Sequence, residues 1–514
     1  MVRRRLLVSC LAFSLVAAFA ATASLAQTVS DERLGAALSR LTEMAQAVVD
    51  GGGAPGLAIA VVHHDKVVYI KGFGFREAGK PERVDGDTVF QIASLSKPVS
   101  STVVAALVSE GVVDWDSKIA DLDPTFRLRD PYPTAELTVR DLFAHRSGLP
   151  GSAGNDLEDI GYDRQEVLRR LRLVAPSSSF RAGYSYSNAG LTEGAIAAAK
   201  PTGKDWEAIA EEKLYRPLGM ASTSSRYADF LSRDNRAALH VKLDGAWSAN
   251  VKRDPDMQAP AGGVSSSARD LAEWMRLQLA GGAYDGKQVI AASALAATHA
   301  PLMTLGKNPV SGAETFYGLG WNIGYGRHGL AWGHAGAFSV GARTVVALYP
   351  SADLGVLVLC NAFPTGVPEG LADSFADLAF DGRIDRDWLK PWNELYESLF
   401  GPAIAAAKEK YKTPAQAEPA LPLAAYVGRY RNDYVGDADV AMDAGALKLF
   451  VGPAGARVYP LQHFNRDIFL SYPSPELPDM PSAVRFSIRA DGKSDMLTID
   501  SLNDLGLGVL KRVE

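Results

Sequence analysis

The N-terminal part of the chain alternates helical and β-type hydrophobic patterns. Residues 34–49 carry apolar side chains at helical spacing, whereas residues 57–75, LAIAVVHHDKVVYIKGFGF, hold two β-rich runs around a polar HDK triplet. Residues 94–110 are apolar on one helical face and stop at Gly111, a residue type that readily ends helices. These patterns predict a helix, a β-hairpin and a second helix, in that order.

The middle of the chain, from Val139 to Leu279, alternates helical patterns with loops rich in glycine, serine and proline. One such loop, APAGGVSSSARD, predicts a helix start that Ser267 caps. From Gly333 the pattern returns to strands, since ARTVVALYP and LGVLVLCNA flank a short SAD turn and precede the helical EGLADSFADLAF. Strands at both ends of a mainly helical region predict an α+β fold, in which the two ends complete one antiparallel sheet flanked by helices.

The remainder of the chain has a different composition. Residues 386–420 combine a helical pattern with a linker rich in proline and alanine, and residues 421–514 hold short β-rich runs separated by Gly, Asn and Asp. Such spacing is typical of small barrels and sandwiches. We therefore expect a main domain over residues 27–385, a linker over 386–420, and a small all-β, barrel-like accessory domain over 421–514.

The first 26 residues, MVRRRLLVSCLAFSLVAAFAATASLA, join three arginines to an apolar run that ends in small residues around Ala26. This is the pattern of a cleaved secretory signal, and it predicts a protein exported to the periplasm or secreted. A permanent membrane anchor is the alternative, but serine and threonine interrupt the apolar stretch before it reaches about twenty residues. With Cys10 inside the signal, Cys360 is left alone, so no intramolecular disulfide is expected.

Composition and charge narrow the possible partners. The chain is 47% hydrophobic and 22% charged, as expected of a globular protein with ample core. Its formal net charge is −6, and loss of Arg3, Arg4 and Arg5 with the signal takes it to −9. An acidic chain without blocks of Lys and Arg argues against nucleic acid or anionic lipid as a partner. We expect a small-molecule or peptide substrate, no nucleic acid and no stable membrane span; the sequence leaves the oligomeric state open.

One short motif carries candidate chemistry. Ser94-Leu95-Ser96-Lys97 stands where the strand-like FQIA runs into the second helix, and it holds the chain's only serine three residues ahead of a lysine. Serine is also a common helix cap, so the motif alone leaves an ordinary cap as an alternative. A serine nucleophile additionally needs a second proton-handling group, oxyanion donors and a wall that orients the substrate.

Two further stretches supply such groups. Tyr186-Ser187-Asn188 places a phenol and an amide in a loop just before a helical run. His334-Ala335-Gly336 opens the returning strands, where a small residue lets a substrate approach the strand edge. Each motif is weak alone, because Tyr430-Arg431-Asn432 matches the first of them too. Their joint order along the chain is what distinguishes them.

Together these residues resemble the serine hydrolases of the β-lactamase and penicillin-binding-protein superfamily, nearest to the class C β-lactamase-like esterases and D-amino-acid peptidases. The similarity rests on the three motifs, is reinforced by LFAHRSGLP, YRPLGM and PAGGVSSSARDLAEW, and spans residues 30 to 385 in round numbers. The C-terminal segment resembles the small β domain that is often appended to such hydrolases. The resemblance implies a β-lactamase/transpeptidase-like fold for the main domain.

The resemblance also implies a role for each motif residue. Ser94 is the nucleophile and forms an acyl-enzyme that water releases, while a neutral Lys97 accepts the hydroxyl proton. Tyr186 delivers the proton to the leaving group, and Asn188 holds Lys97 and a substrate carbonyl. Backbone N–H groups of Ser94 and Ala337 form the oxyanion hole, in which each donor is worth about a hundred- to a thousandfold in rate.

The third motif departs from the family pattern. His334 stands where class C β-lactamases carry lysine, which weakens the expected binding of a substrate carboxylate, although Arg343 downstream offers another cation. We expect His334, Gly336 and Ala337 to line the substrate site. The histidines show no metal-ligand spacing such as H-E-x-x-H, so no metal or other cofactor is expected. His145 is expected to be a structural hydrogen-bonding residue rather than a base.

The sequence thus predicts an exported serine hydrolase that cleaves an ester or amide, either a small acyl ester or a D-amino-acid-containing peptide. The alternative enzyme is a β-lactamase or D,D-carboxypeptidase. A third possibility is a penicillin-type fold that captures a ligand without turnover, as a binding or sensor protein. Release or retention of a covalent label on Ser94 separates these possibilities.

Overall fold

The first strand of the protein is apolar on almost every residue, a pattern that requires cover on both faces of its sheet. The structure is a computed structural model that describes residues 28–243, 245–249, 251–412, 414–474 and 480–513. Strand β1 (Gly56–His63) is buried along its whole length. Its residues 57, 59 and 61 join one apolar cluster, while residues 58, 60 and 62 join another. The sheet therefore has helices packed on both sides.

Eight antiparallel strands form this sheet. In chain order they are β1, β2 (Lys66–Gly74), β3 (Met303–Lys307), β4 (Glu314–Tyr317), β5 (Asn322–Gly326), β6 (Gly329–Phe338), β7 (Ala342–Tyr349) and β8 (Leu354–Cys360). Their spatial order is β2-β1-β8-β7-β6-β5-β4-β3. Because β1 pairs with β8 in antiparallel register, strands from both ends of the main domain complete the sheet. The predicted α+β fold is confirmed.

The longer helices pack on the sheet or on one another. They are α1 (Asp31–Asp50), α2 (Ser96–Ser109), α3 (Asn188–Ala199), α4 (Ala268–Leu279), α5 (Val367–Asp381) and α6 (Leu389–Lys410). Helices α1 and α5 pack together on one face, and α4 packs against β1 and β8 on the other face, beside α2. Ser267 caps α4 as predicted, since its Oγ accepts the N–H of Asp270 at 3.1 Å.

A mainly helical region lies between β2 and β3, again as predicted. Its shorter helices are Ile119–Leu122, Pro131–Glu136, Val139–Phe143, Asn155–Asp159, Arg164–Arg170, Trp206–Ala210, Tyr227–Ser232, Ala259–Gly262 and Ala292–Ala296. Short strands in or beside this region are Phe90–Gln91, His240–Leu243, Ala246–Ser248, Ser265–Ser266, Ala283–Tyr284, Lys287–Gln288 and Ala362–Phe363.

The predicted β1–β2 hairpin turns at two residues in the left-handed conformation. His64 has φ 48° and Asp65 has φ 54°, as a tight hairpin turn that matches the strand twist requires. The predicted secretory signal, residues 1–26, lies outside the described residues. Among the residues with described structure, no helix combines the length and apolar character needed to cross a lipid bilayer. Cys360 is a buried free thiol in β8, and burial raises its pKa to about 12.

The C-terminal part of the chain is a closed eight-stranded barrel, which confirms the predicted small β domain. Its strands are β9 (Gly428–Asn432), β10 (Gly436–Asp443), β11 (Ala446–Val451), β12 (Arg457–Asn465), β13 (Ile468–Ser471), β14 (Ser482–Ile488), β15 (Ser494–Ile499) and β16 (Val509–Arg512). Closure removes the exposed strand edges that an open sheet of this size would present.

The barrel is docked on the helical region rather than tethered beside it. The Tyr434 hydroxyl donates to Asp156 Oδ1 at 2.6 Å, and Arg170 donates to the Tyr434 carbonyl. The Tyr162 hydroxyl donates to the Val435 carbonyl at 2.8 Å. Apolar residues of the barrel and of the helical region belong to one continuous cluster. The two parts therefore share a core, and a truncation of the barrel would expose it.

Replacing Asp156 with asparagine should change how stability depends on pH. Burial raises the pKa of the Asp156 carboxyl to about 6, above the ordinary value of about 3.9. The stability that the protonated Asp156 carboxyl contributes to the folded state is therefore fully present below about pH 4, and it is lost as the pH rises through about 6. The Asp156→Asn variant has no carboxyl group to ionise at this position, so it avoids this loss. The melting temperature of the variant minus that of the natural protein should therefore be larger at pH 7.5 than at pH 4.5. An equal difference at both pH values would contradict this expectation.

Candidate active site

The turn that carries Ser94 is held in an unusual backbone conformation. Ala93 has φ 49°, a left-handed value that is uncommon outside glycine and is a mark of functional turns. The turn is held by Leu95, whose N–H donates to the Ile92 carbonyl at 3.2 Å, and by Ser96, whose Oγ donates to the Ala93 carbonyl at 2.6 Å. The Ser94 side chain caps neither the 3₁₀ turn Ala93–Leu95 nor α2. The ordinary helix cap is therefore the wrong interpretation.

Strand β6 braces this turn through Gly336. A Cβ atom on Gly336 would lie 2.2 Å from the Ile92 carbonyl oxygen and 2.5 Å from Thr344 Oγ1. Thr344 Oγ1 in turn donates to the same carbonyl at 2.8 Å. Glycine is thus required at position 336 because the Ser94 turn lies so close to the sheet. Ala337, the next residue, pairs with Arg343 on β7.

Lys97 is completely buried one turn after Ser94. Its Nζ donates to Asn188 Oδ1 at 2.7 Å and to the Ala261 carbonyl at 2.8 Å, and it lies 3.2 Å from Ser94 Oγ. None of these partners is a carboxylate. Burial holds the pKa of Lys97 well below its ordinary value of about 10.5. A neutral amine has two N–H donors and one lone pair, so with both donors engaged the lone pair is directed at the serine hydroxyl.

A short segment positions the Ala261 carbonyl. The sequence motif PAGGVSSSARDLAEW contains this segment, but the motif alone gives it no role. Ser100 Oγ donates to the Pro260 carbonyl at 2.7 Å, and the Val264 N–H donates to Ser96 Oγ at 2.9 Å. Both serines belong to α2, so the helix that carries Lys97 also anchors the loop that binds it. The sequence feature that points to this segment is the motif PAGG. Every residue has a backbone carbonyl, so the side-chain pattern does not show which one accepts from Lys97.

Tyr186 lies on the other side of the lysine. Its ring centroid is 4.4 Å from Lys97 Nζ, and its phenol shares a hydrogen bond with Ser94. Burial raises the pKa of the phenol above its ordinary value of about 10, so the group is protonated at neutral pH. The sequence motif thus brings a phenol within reach of both Ser94 and Lys97.

His145 anchors the loop that presents Tyr186. The Ser185 N–H donates to the His145 carbonyl at 2.8 Å, and the Ser187 N–H donates to His145 Nδ1 at 3.0 Å. The two amides that flank Tyr186 are therefore bound by one residue. Burial lowers the pKa of His145 well below 6.5. A neutral ring whose Nδ1 accepts must carry its proton on Nε2.

Asn188 is the first residue of α3. Ser187 caps this helix, because its Oγ accepts the Gly190 N–H at 3.1 Å. The Asn188 side-chain oxygen is engaged by Lys97, so its amide NH₂, the donor end, is directed elsewhere. The cap therefore orients an amide that can bind the lysine with one end and a substrate carbonyl with the other.

His334 is a neutral, hydrogen-bonded residue of β6. Its Nδ1 lies 2.7 Å from the Ala335 carbonyl, which can only accept, so Nδ1 carries the proton. The Tyr317 hydroxyl therefore donates to Nε2, at 3.1 Å. Burial lowers the pKa of His334 to about 3, so the ring is neutral near neutral pH. Tyr317 lies in no recognised motif, so the sequence analysis did not identify it.

Arg343 does not supply the missing cation. Its buried guanidinium pairs with Glu369 on α5 and with the Tyr396 hydroxyl on α6. The charge is therefore neutralised within the protein, and the interpretation of Arg343 as a substrate-binding cation is wrong.

A group of potential metal ligands lies elsewhere, near the start of β6. The ligand atoms of His328, Asp377 and Asp381 all lie within 4.8 Å of one another. Arg327 already pairs with both carboxylates and with Asp385. The group belongs to an ion-pair network at the opposite end of β6 from Gly336, so it takes no part in the arrangement around Ser94.

The site joins a buried lysine to a serine at the start of a helix. A phenol and an amide contact this pair, and a glycine of the neighbouring strand packs behind it. This arrangement defines a serine hydrolase of the β-lactamase and penicillin-binding-protein type. A family model described as Beta-lactamase matches residues 41–381, and the chain belongs to this family. A second model, a domain of unknown function named DUF3471, matches residues 412–507. The suspected family membership is confirmed.

Curated relatives of the chain are hydrolases. The unguisins hydrolase ungD of Aspergillus violaceofuscus is 25% identical over 456 residues, which cover 81% of this chain and 79% of that protein. The D-alanyl-D-alanine-carboxypeptidase/endopeptidase AmpH of Escherichia coli K12 is 26% identical over 336 residues, covering 64% of this chain and 85% of that protein. These relatives support an enzyme.

Two solved structures share the fold. The octameric penicillin-binding protein homologue from Pyrococcus abyssi superposes with a TM-score of 0.58 at 18% identity, over 90% of this chain and 98% of that one. The crystal structure of SurE superposes with a TM-score of 0.55 at 21% identity, over 93% of this chain and 100% of that one. Both coverages include the C-terminal barrel region.

Substituting Gly336 with alanine should displace the Ser94 turn. The added methyl group would collide with backbone that cannot move without shifting the turn, so we expect labelling of Ser94 by a fluorophosphonate to slow by about a hundredfold. Gly324→Ala on the neighbouring strand β5 is the matched control, because a Cβ there would meet nothing within 4 Å. Equal labelling rates in the two variants would contradict the bracing role of Gly336.

Proposed function

We propose that this protein is an exported serine hydrolase that cleaves an ester or amide through an acyl-enzyme on Ser94. The observation that carries the proposal is the buried Lys97 amine, whose two acceptors leave its lone pair for the serine hydroxyl. The N-terminal signal pattern supports export. The substrate class that fits best is a small acyl ester or a D-amino-acid-containing peptide.

The first step forms the acyl-enzyme. Ser94 Oγ attacks the substrate carbonyl while Lys97 Nζ takes the hydroxyl proton, so a C–O bond forms and the carbonyl electron pair moves onto oxygen. The resulting oxyanion is bound by the backbone N–H groups of Ser94 and Ala337, an assignment supported by the close packing of Gly336 against the Ser94 turn. Asn188 binds the neighbouring carbonyl of the substrate through its NH₂ group.

The second step expels the leaving group. Tyr186 donates its phenol proton to the leaving nitrogen or oxygen as the carbonyl re-forms, and the proton held by Lys97 restores the phenol. The high pKa of the phenol keeps it protonated for this role, and its hydrogen bond with Ser94 supports its position beside the reacting oxygen. Water then attacks the acyl group and releases Ser94 by the reverse transfers.

The substrate class is supported by the charge of the site and by the relatives. His334 is neutral and Arg343 is paired, so neither of the two cations considered from the sequence is available to a substrate carboxylate. The names of the two hydrolase relatives refer to unguisins and to D-alanyl-D-alanine peptides. The charge of the site favours neutral esters and peptide amides over carboxylate-bearing β-lactams, and the name of the second relative supports a peptide as the substrate.

Replacing Ser94 with alanine should abolish acylation and leave the fold intact. The side chain caps no helix, so the free energy of unfolding should change by less than about 1 kcal/mol. Intact-mass measurement after incubation with esters, D-aminoacyl amides and β-lactams should show an adduct on the natural protein and none on the variant. Ser267→Ala is the matched control, because losing the α4 cap lowers stability by about 1 kcal/mol yet keeps the adduct. Near-normal turnover by Ser94→Ala would refute the mechanism.

Replacing His334 with lysine should shift the substrate preference. A cation at this position can form a charge-assisted hydrogen bond to a carboxylate, worth about 1.5–3 kcal/mol. The ratio of kcat/KM for a penicillin to kcat/KM for a neutral ester should therefore rise about 10- to 100-fold. Efficient penicillin or cephalosporin hydrolysis by the unmodified protein, exceeding its rate on every ester and amide tested, would instead favour a β-lactamase.

A further inference from the structure

An open, solvent-facing cavity of about 640 Å³ lies where Arg457 of the barrel meets the main domain. Its walls are the segment 158–164, the loop 252–257, part of the helix Tyr227–Ser232, and Arg457 of the barrel. We call this space the interdomain chamber. Its volume falls in the range of about 300–1,000 Å³ that is usual for ligand sites.

The chamber is fixed in shape by the docking of the barrel. A Cβ atom on Gly452 of the barrel would lie 2.0 Å from the Ile160 carbonyl oxygen, so the barrel backbone is in direct contact with segment 158–164. A Cβ atom on Gly161 would lie 3.4 Å from Arg457 Nε. Together with the Tyr162 and Tyr434 hydrogen bonds, these contacts hold the exposed Arg457 side chain over the main domain.

The inner wall of the chamber also borders the Ser94 site. The Arg253 guanidinium carbon lies 5.6 Å from the Phe338 ring centroid, and Phe338 directly follows the oxyanion residue Ala337. Arg253 pairs with Glu158 at 2.9 Å, and Glu158 accepts from Gln258 at 2.6 Å. One linked group of side chains therefore separates the chamber from the end of β6.

Gly262 connects the lysine site to the residues behind this wall. A Cβ atom on Gly262 would lie 3.8 Å from the Phe338 ring and 3.9 Å from Gln258 Oε1, which is ordinary van der Waals contact. Gly262 immediately follows the carbonyl of Ala261, which binds Lys97. The segment that binds the catalytic lysine thus packs against Phe338 and against Gln258, the residue that donates to Glu158 in the chamber wall.

The lining of the chamber suits a peptide chain. Tyr162, Tyr227, Leu231 and Met257 offer aromatic and aliphatic surface, and acidic and basic side chains of segment 158–164, loop 252–257 and the barrel offer partners of both signs. Leu231 is 42% exposed, which is high for a leucine beside a cavity. Apolar surface with a few polar groups is the usual make-up of a binding site, and a peptide presents amides, side chains and charges that match it.

We propose that the interdomain chamber is a substrate subsite, which binds residues of a peptide remote from the bond that Ser94 attacks. This inference rests on the proposed function and specifies its substrate as an oligopeptide rather than a small ester. Binding energy from remote residues of the substrate raises kcat/KM when it is used in the transition state. The barrel therefore contributes directly to substrate selection through Arg457.

The test compares substrates of increasing length in the full-length protein. The substrates are 4-nitrophenyl acetate and two series of D-alanine-containing peptides, lengthened from one to five residues on the acyl side or on the leaving-group side. The natural protein should show a rise in kcat/KM of at least about tenfold along one series. Two variants probe the chamber: Leu231→Trp, which fills its rim, and Arg457→Ala, which removes the barrel's contribution. Leu421→Trp is the matched control, because Leu421 is also exposed and lies outside the chamber lining.

Both chamber variants should lose most of the gain with length, while kcat/KM for 4-nitrophenyl acetate and for the shortest peptide stays within about twofold of the natural value. The control should keep the gain. No gain with length in either series, or a gain that both chamber variants retain, would overturn the subsite. A natural protein that neither hydrolyses 4-nitrophenyl acetate nor is labelled on Ser94 by a fluorophosphonate would instead overturn the hydrolase function itself, so the two failures are distinguishable.

Discussion

The structure of the active site depends on one energetically unfavourable feature: the Lys97 amine is buried without a carboxylate to pair with it. A charged ammonium in such surroundings is costly, so the group gives up its proton. Two oxygen acceptors, the amide of Asn188 and the carbonyl of Ala261, then hold the neutral amine in one orientation. These acceptors come from α3 and from the short helix Ala259–Gly262, and both must be correctly placed against α2. The chemistry of Ser94 is thus a product of how three distant segments pack.

Much of the fold and part of the site could be predicted from the sequence, because both depend on local patterns. The continuous apolar run of β1 and the apolar residues of α2 are patterns within single elements, and Ser94 and Lys97 are neighbours on one helical turn. Tyr186 and Asn188 were also recognisable, since a short motif contains both. The closed barrel followed from the regular spacing of short strands, although its docking on segment 158–164 did not.

The remaining features arise from contacts between segments that no sequence pattern joins. Ala261 acts through its carbonyl, which every residue possesses. Tyr317 meets His334 only because β4 and β6 lie two strands apart in the same sheet, and this contact, together with burial, fixes the neutral tautomer of the histidine. From the sequence alone Arg343 is a candidate free cation, because its partner Glu369 lies on a different element, α5. In each case the missing information is a distance across the fold rather than the identity of a residue.

The pairing of β1 with β8 has a consequence for the order in which the molecule can form. One edge of β1 pairs with β2, the next strand in the chain, but its other edge stays unpaired until β8 has been synthesised near the end of the main domain. Contacts between positions so far apart in sequence are slow to form, and the exposed strands are prone to aggregation in the meantime. The Ser94 turn, which Gly336 braces from within the same sheet, should acquire its final geometry late. The catalytic turn should therefore form only once residues 354–360, which carry β8, are available to close the sheet.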